Sequence, residues 1–328
     1  MNKLDKAQEQ IQEKLRDSKS PLILSHMRPD GDAIGSIVGL GLVLKNAGKT
    51  PCLVLEDGLP AKYRFLKGSE LVVKKPAETN DLTVVLDCSD LRRLGDSFSN
   101  LTVDINIDHH ITNENFGGIN LVLPEYPATC AILTKFLPDW GYPLDLDSSS
   151  ALLMGILTDT IGFRTSNVTP ETLRQAAELM GSGAALSDIY NQALVSQSFP
   201  ASLIWGFALS QLVRENGLVW TVITLEDRKK AKYIGRDDAD LTNVISAIEG
   251  SDVSIVFNEQ NSGKVKVSWR SNAPYDVSKI AQQFGGGGHP QASGAEFEGT
   301  LDEVENKVIS KTKQYMEGLS SKGDQKNG

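Results

Sequence analysis

The chain has 328 residues, 40% hydrophobic and 23% charged, with a formal net charge of −9. At ~100–200 residues per domain that length implies two domains with real cores, and no apolar run approaches the ~20 residues a membrane span needs. The acidic balance has the wrong sign for a protein that tracks long nucleic acid by neutralising phosphates, although a small anionic substrate held through bound cations stays open. Met1–Ser20 is polar and charged, without the apolar stretch of a signal peptide, so a soluble, cytoplasmic protein is expected. Cys52, Cys88 and Cys130 form no C-x-x-C pair. They read as reduced thiols rather than disulfides or zinc ligands.

In chain order, Leu4–Leu15 carries apolar residues at helical spacing among charges, and Pro21–Ser25 is a short apolar run fit for a buried strand. Ala33–Leu44 is a helix rich in small and apolar residues. Cys52–Leu55, Leu82–Leu86 and Thr102–Ile107 read as strands, and Ala128–Leu137 and Ser149–Leu157 as helices. Strands alternating with helices predict an α/β domain whose mostly parallel sheet is covered on both faces. Pro170 opens a further helix, and a largely helical stretch runs to Val213. Gly217–Leu225 is strand-like, Val253–Phe257 and Lys264–Trp269 form a hairpin around Asn261-Ser262-Gly263, and Asp276–Phe284 is helical. A glycine-rich loop follows, then a helix over Leu301–Tyr315 and a tail expected to be disordered. The expected domains are 1–190, a helical connector over 191–213, a smaller α/β domain over 214–318, and the tail over 319–328.

The four histidines are His26, His109, His110 and His289. His26, Asp30 and Asp32 fall in Ser25-His26-Met27-Arg28-Pro29-Asp30-Gly31-Asp32, between a buried strand and a helix. The carboxyl ends of strands are where an open α/β sheet binds ligands, and Pro and Gly make the turn tight enough for the three to converge. The competing reading is an aspartate cap beside an exposed histidine. Asp87 ends the next apolar strand, a position that alone is usually a turn. Asp108-His109-His110 end another, where imidazole and carboxylate together suit a divalent cation. Asp159 ends an apolar helix and needs a partner if buried. Mixed His and Asp donors without thiolates point to Mn2+ or Mg2+ rather than structural zinc. More than four donors point to two ions, the arrangement that clamps attacking and leaving oxygens in phosphoryl displacement. Far along the chain, Gly285-Gly286-Gly287-Gly288-His289-Pro290 offers backbone N–H groups to an anion, and Arg270 ends a strand where it can clamp a phosphate. A flexible turn and a solvated arginine are the plainer alternatives.

These residues resemble the DHH phosphoesterase family over nearly the whole chain. His26-x-x-Pro29-Asp30-x-Asp32 resembles its first motif, Asp87 the second, Asp108-His109-His110 the third and Asp159 the fourth. Gly285–His289 resembles the signature of the DHH-associated C-terminal domain. The resemblance implies that His26, Asp30 and Asp87 hold one metal ion and that Asp32, Asp87, His109 and Asp159 hold the other, with Asp87 bridging. It further implies that His110 faces the phosphate and that Asp108 orients a ligand histidine. Arg270, Gly286, Gly287, Gly288 and His289 would hold the nucleotide. The implied cofactors are two divalent ions, Mn2+ with Mg2+ or Co2+ as alternatives. The size resembles the stand-alone branch that degrades short oligoribonucleotides and dephosphorylates adenosine 3′,5′-bisphosphate by hydroxide attack. A phosphodiesterase of cyclic di-AMP or linear di-adenylate is the alternative, and a silent nucleotide sensor the alternative of another class. Short RNA or small nucleotides are the implied partners, with no long nucleic acid, no membrane, and a homodimer plausible for the branch. Ile161 is bulkier than the resemblance leads one to expect.

Overall fold

The computed structural model describes residues 3–76, 79–261 and 263–324. The chain divides between Ser196 and Gln197 into two compact units, inside the segment expected to be a separate connector.

The first unit runs α1 (Lys3–Asp17), β1 (Pro21–Leu24), α2 (Gly31–Asn46), β2 (Cys52–Val54), β3 (Val72–Val73), β4 (Leu82–Leu86), β5 (Ile105–Asp108), β6 (Ile119–Val122), α3 (Thr129–Asp139), α4 (Leu146–Asp159), α5 (Pro170–Gly181) and α6 (Leu186–Tyr190). Its six strands lie in the order β3-β2-β1-β4-β5-β6, and every neighbouring pair is parallel. The order reverses between β1 and β4. Alternation along the strands splits the core in two. Ile23, Val84 and Ile107 pack with α1 to α4, while Leu22, Leu24 and Val85 pack with Leu94, Phe98 and Val103. The second face is thus covered by short 3-10 turns, Leu91–Leu94 and Asp96–Phe98, rather than by α-helices. Strands β3 and β6 gave no clear sequence signal: β3 is two residues long, and β6 is a half-exposed edge.

Three glycines at helical spacing govern how α2 meets α4. A Cβ on Gly31 would lie 2.2 Å from the Thr158 hydroxyl, one on Gly35 2.5 Å from the Ala151 carbonyl, and one on Gly39 2.7 Å from Leu152. Without side chains on that stripe the two backbones approach closely. The N-terminus of α2 is thereby set beside the C-terminus of α4.

The second unit runs α7 (Phe199–Ser210), β7 (Val213–Glu215), β8 (Leu218–Ile223), α8 (Leu225–Ala231), α9 (Leu241–Ser246), β9 (Val253–Gln260), β10 (Lys264–Ser271), α10 (Ser278–Gln282), β11 (Gly287–His289), β12 (Ala292–Glu298) and α11 (Leu301–Asp324). Its sheet has the order β11-β12-β10-β9-β8-β7, antiparallel except for the parallel pair β8–β9. Helix α7 belongs to this unit: Ile204 and Ala208 pack on Val219, Ile223 and Val256. The expected hairpin forms over β9 and β10, with Ser262 of its turn outside the described residues. Helix α11 continues past Gly318 to Asp324, so the tail expected to be disordered begins as helix; residues 325–328 lie outside the described part.

Gly35→Val should lower the stability to urea by about 1–3 kcal/mol through overpacking, whereas Gly206→Ala on α7, with nothing within 4 Å of its added carbon, should be neutral or slightly stabilising. Equal effects of the two would show that the close approach of α2 to α4 is not a constraint.

Candidate metal centre

The acidic and imidazole side chains singled out in the first unit gather at the carboxyl ends of β1, β4 and β5, where the strand order reverses and open α/β sheets bind ligands. His26 lies beyond the end of β1, Asp87 follows β4, Asp108 ends β5 and His109 follows it. The Gly31 contact described above brings Asp30 and Asp32 alongside Asp159. Two sets of three result, His26 with Asp30 and Asp87, and Asp32 with His109 and Asp159. In each, the ligand atoms lie within 4.8 Å of one another and could hold a metal ion. Asp87 reaches both. Its Oδ2 is 3.5 Å from Nε2 of His26, and its Oδ1 is 3.6 Å from Nε2 of His109. His109 Nε2 is also 3.4 Å from Asp159 and 3.9 Å from Asp32.

Local folding explains the aim of each group. Asp87 has a φ of 53°, a left-handed conformation that strains a non-glycine residue by about 1–3 kcal/mol. That twist turns its carboxylate off the strand end. Asp30 caps α2, its Oδ1 accepting from the N–H of Asp32 and Ala33 at 3.1 Å, while Oδ2 faces His26 at 4.0 Å. The cap reading of Asp30 is thus realised by Oδ1, and Oδ2 is left on the side of His26. His26 Nδ1 lies 2.8 Å from the Met27 carbonyl, to which it can only donate. That leaves Nε2 to the carboxylates.

Charge decides what this cluster can hold. Burial works against ionised Asp87, but its hydrogen-bonding contact with His26 and the charges of His110, His26 and His109 hold its pKa well below the usual carboxylate range. Burial, joined by the charges of Asp87 and Asp159, pushes Asp32 well above that range. Burial, with the charge of His110, lowers His109. Mutually repelling carboxylates facing imidazole nitrogens fit a divalent cation, whose charge would offset the penalty on Asp32. The thiols do not compete. Burial pushes Cys88 up to about 12 and Cys130 upward as well, which keeps both protonated.

His110 differs. Burial alone would lower its pKa, but the hydrogen bond to Asp108, with the charges of Asp87 and Asp108, raises it to about 9. Its Nδ1 donates to Asp108 Oδ1 at 2.7 Å, and the same oxygen accepts the His109 N–H at 2.8 Å. Asp108 therefore orients the ring of His110 and reaches His109 through its backbone.

Several supporting residues were not singled out in the sequence. The N–H groups of Thr129 and Cys130, the first of α3, donate to the two oxygens of Asp32 at 2.6 and 2.9 Å, and the Thr129 hydroxyl donates to Asp87 at 3.1 Å. One signal was present. Ala128 occupies the N-cap of α3 with no capping side chain, so the orphan donors of that helix need partners elsewhere. Beyond Asp159, Ile161, Gly162 and Phe163 all have positive φ. The buried Thr160 hydroxyl ties this turn, accepting the Phe163 N–H at 3.0 Å. The bulk of Ile161 thus falls where a β-branched residue is a genuine outlier.

In the second unit, Arg270 and His289 stand opposite the same residue, Ala292, on the two strands that flank β12, so their side chains share one face of the sheet. The Arg270 Nε donates to Asn243 at 2.9 Å. The glycine segment is not a free loop as expected. Gly285 and Gly286 donate their N–H groups to Gln282 and Ala281, and Gly287–His289 form the edge strand β11. A Cβ on Gly286 or Gly288 would strike the β12 backbone at 2.2 or 2.4 Å, whereas one on Gly287 meets nothing within 4 Å. Packing therefore requires glycine at Gly286 and Gly288, and Gly287 presents bare backbone at the surface.

Among known proteins, the DHH family N-terminal domain matches residues 21–160 and the DHHA1 domain matches residues 221–318. The chain is 35% identical to the bifunctional oligoribonuclease and PAP phosphatase NrnA of Thermus thermophilus over 316 residues, covering 93% of each chain. It is 26% identical to the protein of the same description from Bacillus subtilis, over 82% of this chain and 87% of that one. Among solved structures, an exopolyphosphatase-related protein from Bacteroides fragilis superposes with a TM-score of 0.86 at 25% identity, covering 96% of both chains.

The raised pKa of His110 sets a sign for pH. Its contribution to folding stability is fully present below its ordinary value of ~6.5 and is lost as pH rises through about 9. In chelator, the stability advantage of wild type over His110→Gln should shrink across that window, as read by urea unfolding at several pH values. Parallel curves would count against the Asp108–His110 ion pair.

Proposed function

The chain belongs to the DHH family, with its N-terminal domain followed by a DHHA1 domain, and on that premise we propose that it is a metal-dependent phosphoesterase that hydrolyses short oligoribonucleotides to 5′-mononucleotides and removes the 3′-phosphate of adenosine 3′,5′-bisphosphate. The observation that carries this reading is the position of Asp87, whose two oxygens face separate donor sets. That geometry suits a carboxylate shared by two ions. The extent of likeness to a relative described as having both activities, 93% of each chain, supports the choice of substrates.

In this reading His26, Asp30 and Asp87 hold one ion, and Asp32, Asp87, His109 and Asp159 the other, with Mn2+ the best match to the donor set. When bound, the pair supplies Lewis acidity toward a phosphate and lowers the pKa of water to a useful range. The chain's own residues do the rest. Asp108 keeps the His110 ring aimed by accepting from Nδ1, and the proton on Nε2 donates to a non-bridging phosphate oxygen as negative charge builds there. Arg270 and His289, on one sheet face, bind the nucleotide, and Gly287 lets a phosphate approach the backbone.

Both proposed reactions break the same bond. Water adds to phosphorus and the P–O3′ bond cleaves. From an oligonucleotide the leaving group is the 3′-oxygen of the neighbouring nucleoside, and a 5′-monophosphate is released. From the bisphosphate it is the 3′-oxygen of AMP, and inorganic phosphate is released. One alignment of the 3′-oxygen against the attacking water therefore serves both substrates.

The test offers the purified protein with Mn2+ linear di- and trinucleotides, adenosine 3′,5′-bisphosphate, cyclic di-AMP and pyrophosphate in parallel, with a chelator control. Chelator-sensitive release of mononucleotides and of phosphate from the bisphosphate is expected. Cyclic di-AMP cleaved fastest would move the protein to dinucleotide signalling, and tight binding with no turnover would make it a sensor. Asp87→Ala should abolish metal-dependent turnover. His289→Ala should raise KM while leaving kcat nearly intact, and an unchanged KM would remove His289 from substrate binding.

A further inference from the structure

The loop that follows His110 returns a single side chain, Asn113, to the strand ends. Its Nδ2 lies 2.6 Å from Asp108 Oδ2, 2.9 Å from Asn106 Oδ1 and 3.1 Å from the Cys88 carbonyl. Asn106, fully buried on β5, places its own amide nitrogen 3.3 Å from the same Cys88 carbonyl and 3.4 Å from that of Val85. Two amides thus join the end of β4 to the end of β5. The loop is shaped for the purpose. The Asn113 N–H donates to the His110 carbonyl and the Glu114 N–H to that of Ser89, while Asn113 Oδ1 accepts the N–H of Asn115 at 2.7 Å.

Asp108 is wholly buried, and its Oδ1 is committed to His110 and to the backbone of His109. Its Oδ2 is the handle by which the plane of the carboxylate can be set. We propose that Asn113 is a positioning residue for the centre: it fixes Asp108 by that handle, and through Asp108 the ring of His110, while its hold on the Cys88 carbonyl secures the left-handed turn at Asp87. This inference rests on the roles given above to Asp87 and His110. The chemistry requires an amide. Two N–H donors face a carboxylate and two carbonyl oxygens, and an aspartate in the same place would set carboxylate against carboxylate. Loss of the amide leaves Asp108 free to turn its other oxygen, taking the His110 ring with it.

Three measurements on the full chain test this. In the metal-free protein, 15N-histidine NMR reads the hydrogen-bonded Nδ1 of His110. Titration calorimetry with Mn2+ reads the donor set. Steady-state kinetics on the dinucleotide and the bisphosphate separates kcat from KM. Asn113→Ala should shift the His110 Nδ1 resonance and lower kcat or Mn2+ affinity by roughly 10–100-fold, the range for residues that orient metal-site groups, with KM little changed. Asn113→Asp should be worse than Asn113→Ala. An unmoved His110 resonance, unchanged kcat and Mn2+ affinity, or equal losses in the two variants would each overturn the proposal. Should Asn113→Ala fail to fold, Asn113→Ser is read in the same three ways. If the wild type hydrolyses none of the offered substrates, the proposed function falls, and the resonance and the calorimetry still decide the role of Asn113.

Discussion

A carboxylate inside a protein must be met by opposite charge or by hydrogen-bond donors, and the first unit is organised around two that are 1% and 2% exposed, Asp32 and Asp87. Asp32 takes the two leading N–H groups of α3, donors that any helix start leaves over. Asp87 takes the Thr129 hydroxyl and two imidazoles. These partners orient the carboxylates but do not cancel them, because Asp30 and Asp159 add further charge close by. The residual negative charge makes the cluster fit to hold divalent cations. The strand order, the glycine stripe of α2 and the uncapped start of α3 all serve to bring these groups within reach of one another.

Much of this was legible from residues alone. Buried parallel strands read as short apolar runs, so β1 and β4 were plain, whereas Asp87 after β4 reads, taken alone, as a turn. Histidines are scarce in the chain, and their placement after strands carried information that a single Asp after a strand does not. What could not be read was support that looks ordinary in sequence. Asn113 lies in a polar loop, and Thr129 is a small polar residue at a helix start. Both types are common in such places for reasons that have nothing to do with a metal. Their role depends on which strand end the fold returns them to, and no local spacing encodes that.

The second unit shows the converse. Four consecutive glycines look like freedom, yet two of their N–H groups are spent inside a turn and Gly286 and Gly288 are glycine because β12 passes too close for a Cβ. A run of identical residues conceals different reasons at each position: Gly285 is exposed with its N–H already spent in the turn, and Gly287 is exposed with open space where a Cβ would stand. The same sheet pairs Arg270 with His289 across β12, a relation invisible until strand register is known, because the two are separated by the whole of α10 in the chain.

Strain and support are matched at the centre. The left-handed backbone at Asp87 and at Ile161-Gly162-Phe163 is disfavoured for ordinary side chains, and it persists only where surrounding bonds over-determine it. At Asp87 those bonds come from the amides that hold the next carbonyl, and at Asp159 from the Thr160 hydroxyl that ties the following turn. Asp87 is thus strained where its carboxylate leaves the path of the strand, and the strained turn at 161–163 follows directly on the helix that ends at Asp159. A helix or strand alone spaces side chains by its own period. A convergence of four carboxylates and two imidazoles from four separate segments requires the backbone to depart from that period at the last residue, and the buried Asn and Thr side chains are what hold the departure in place.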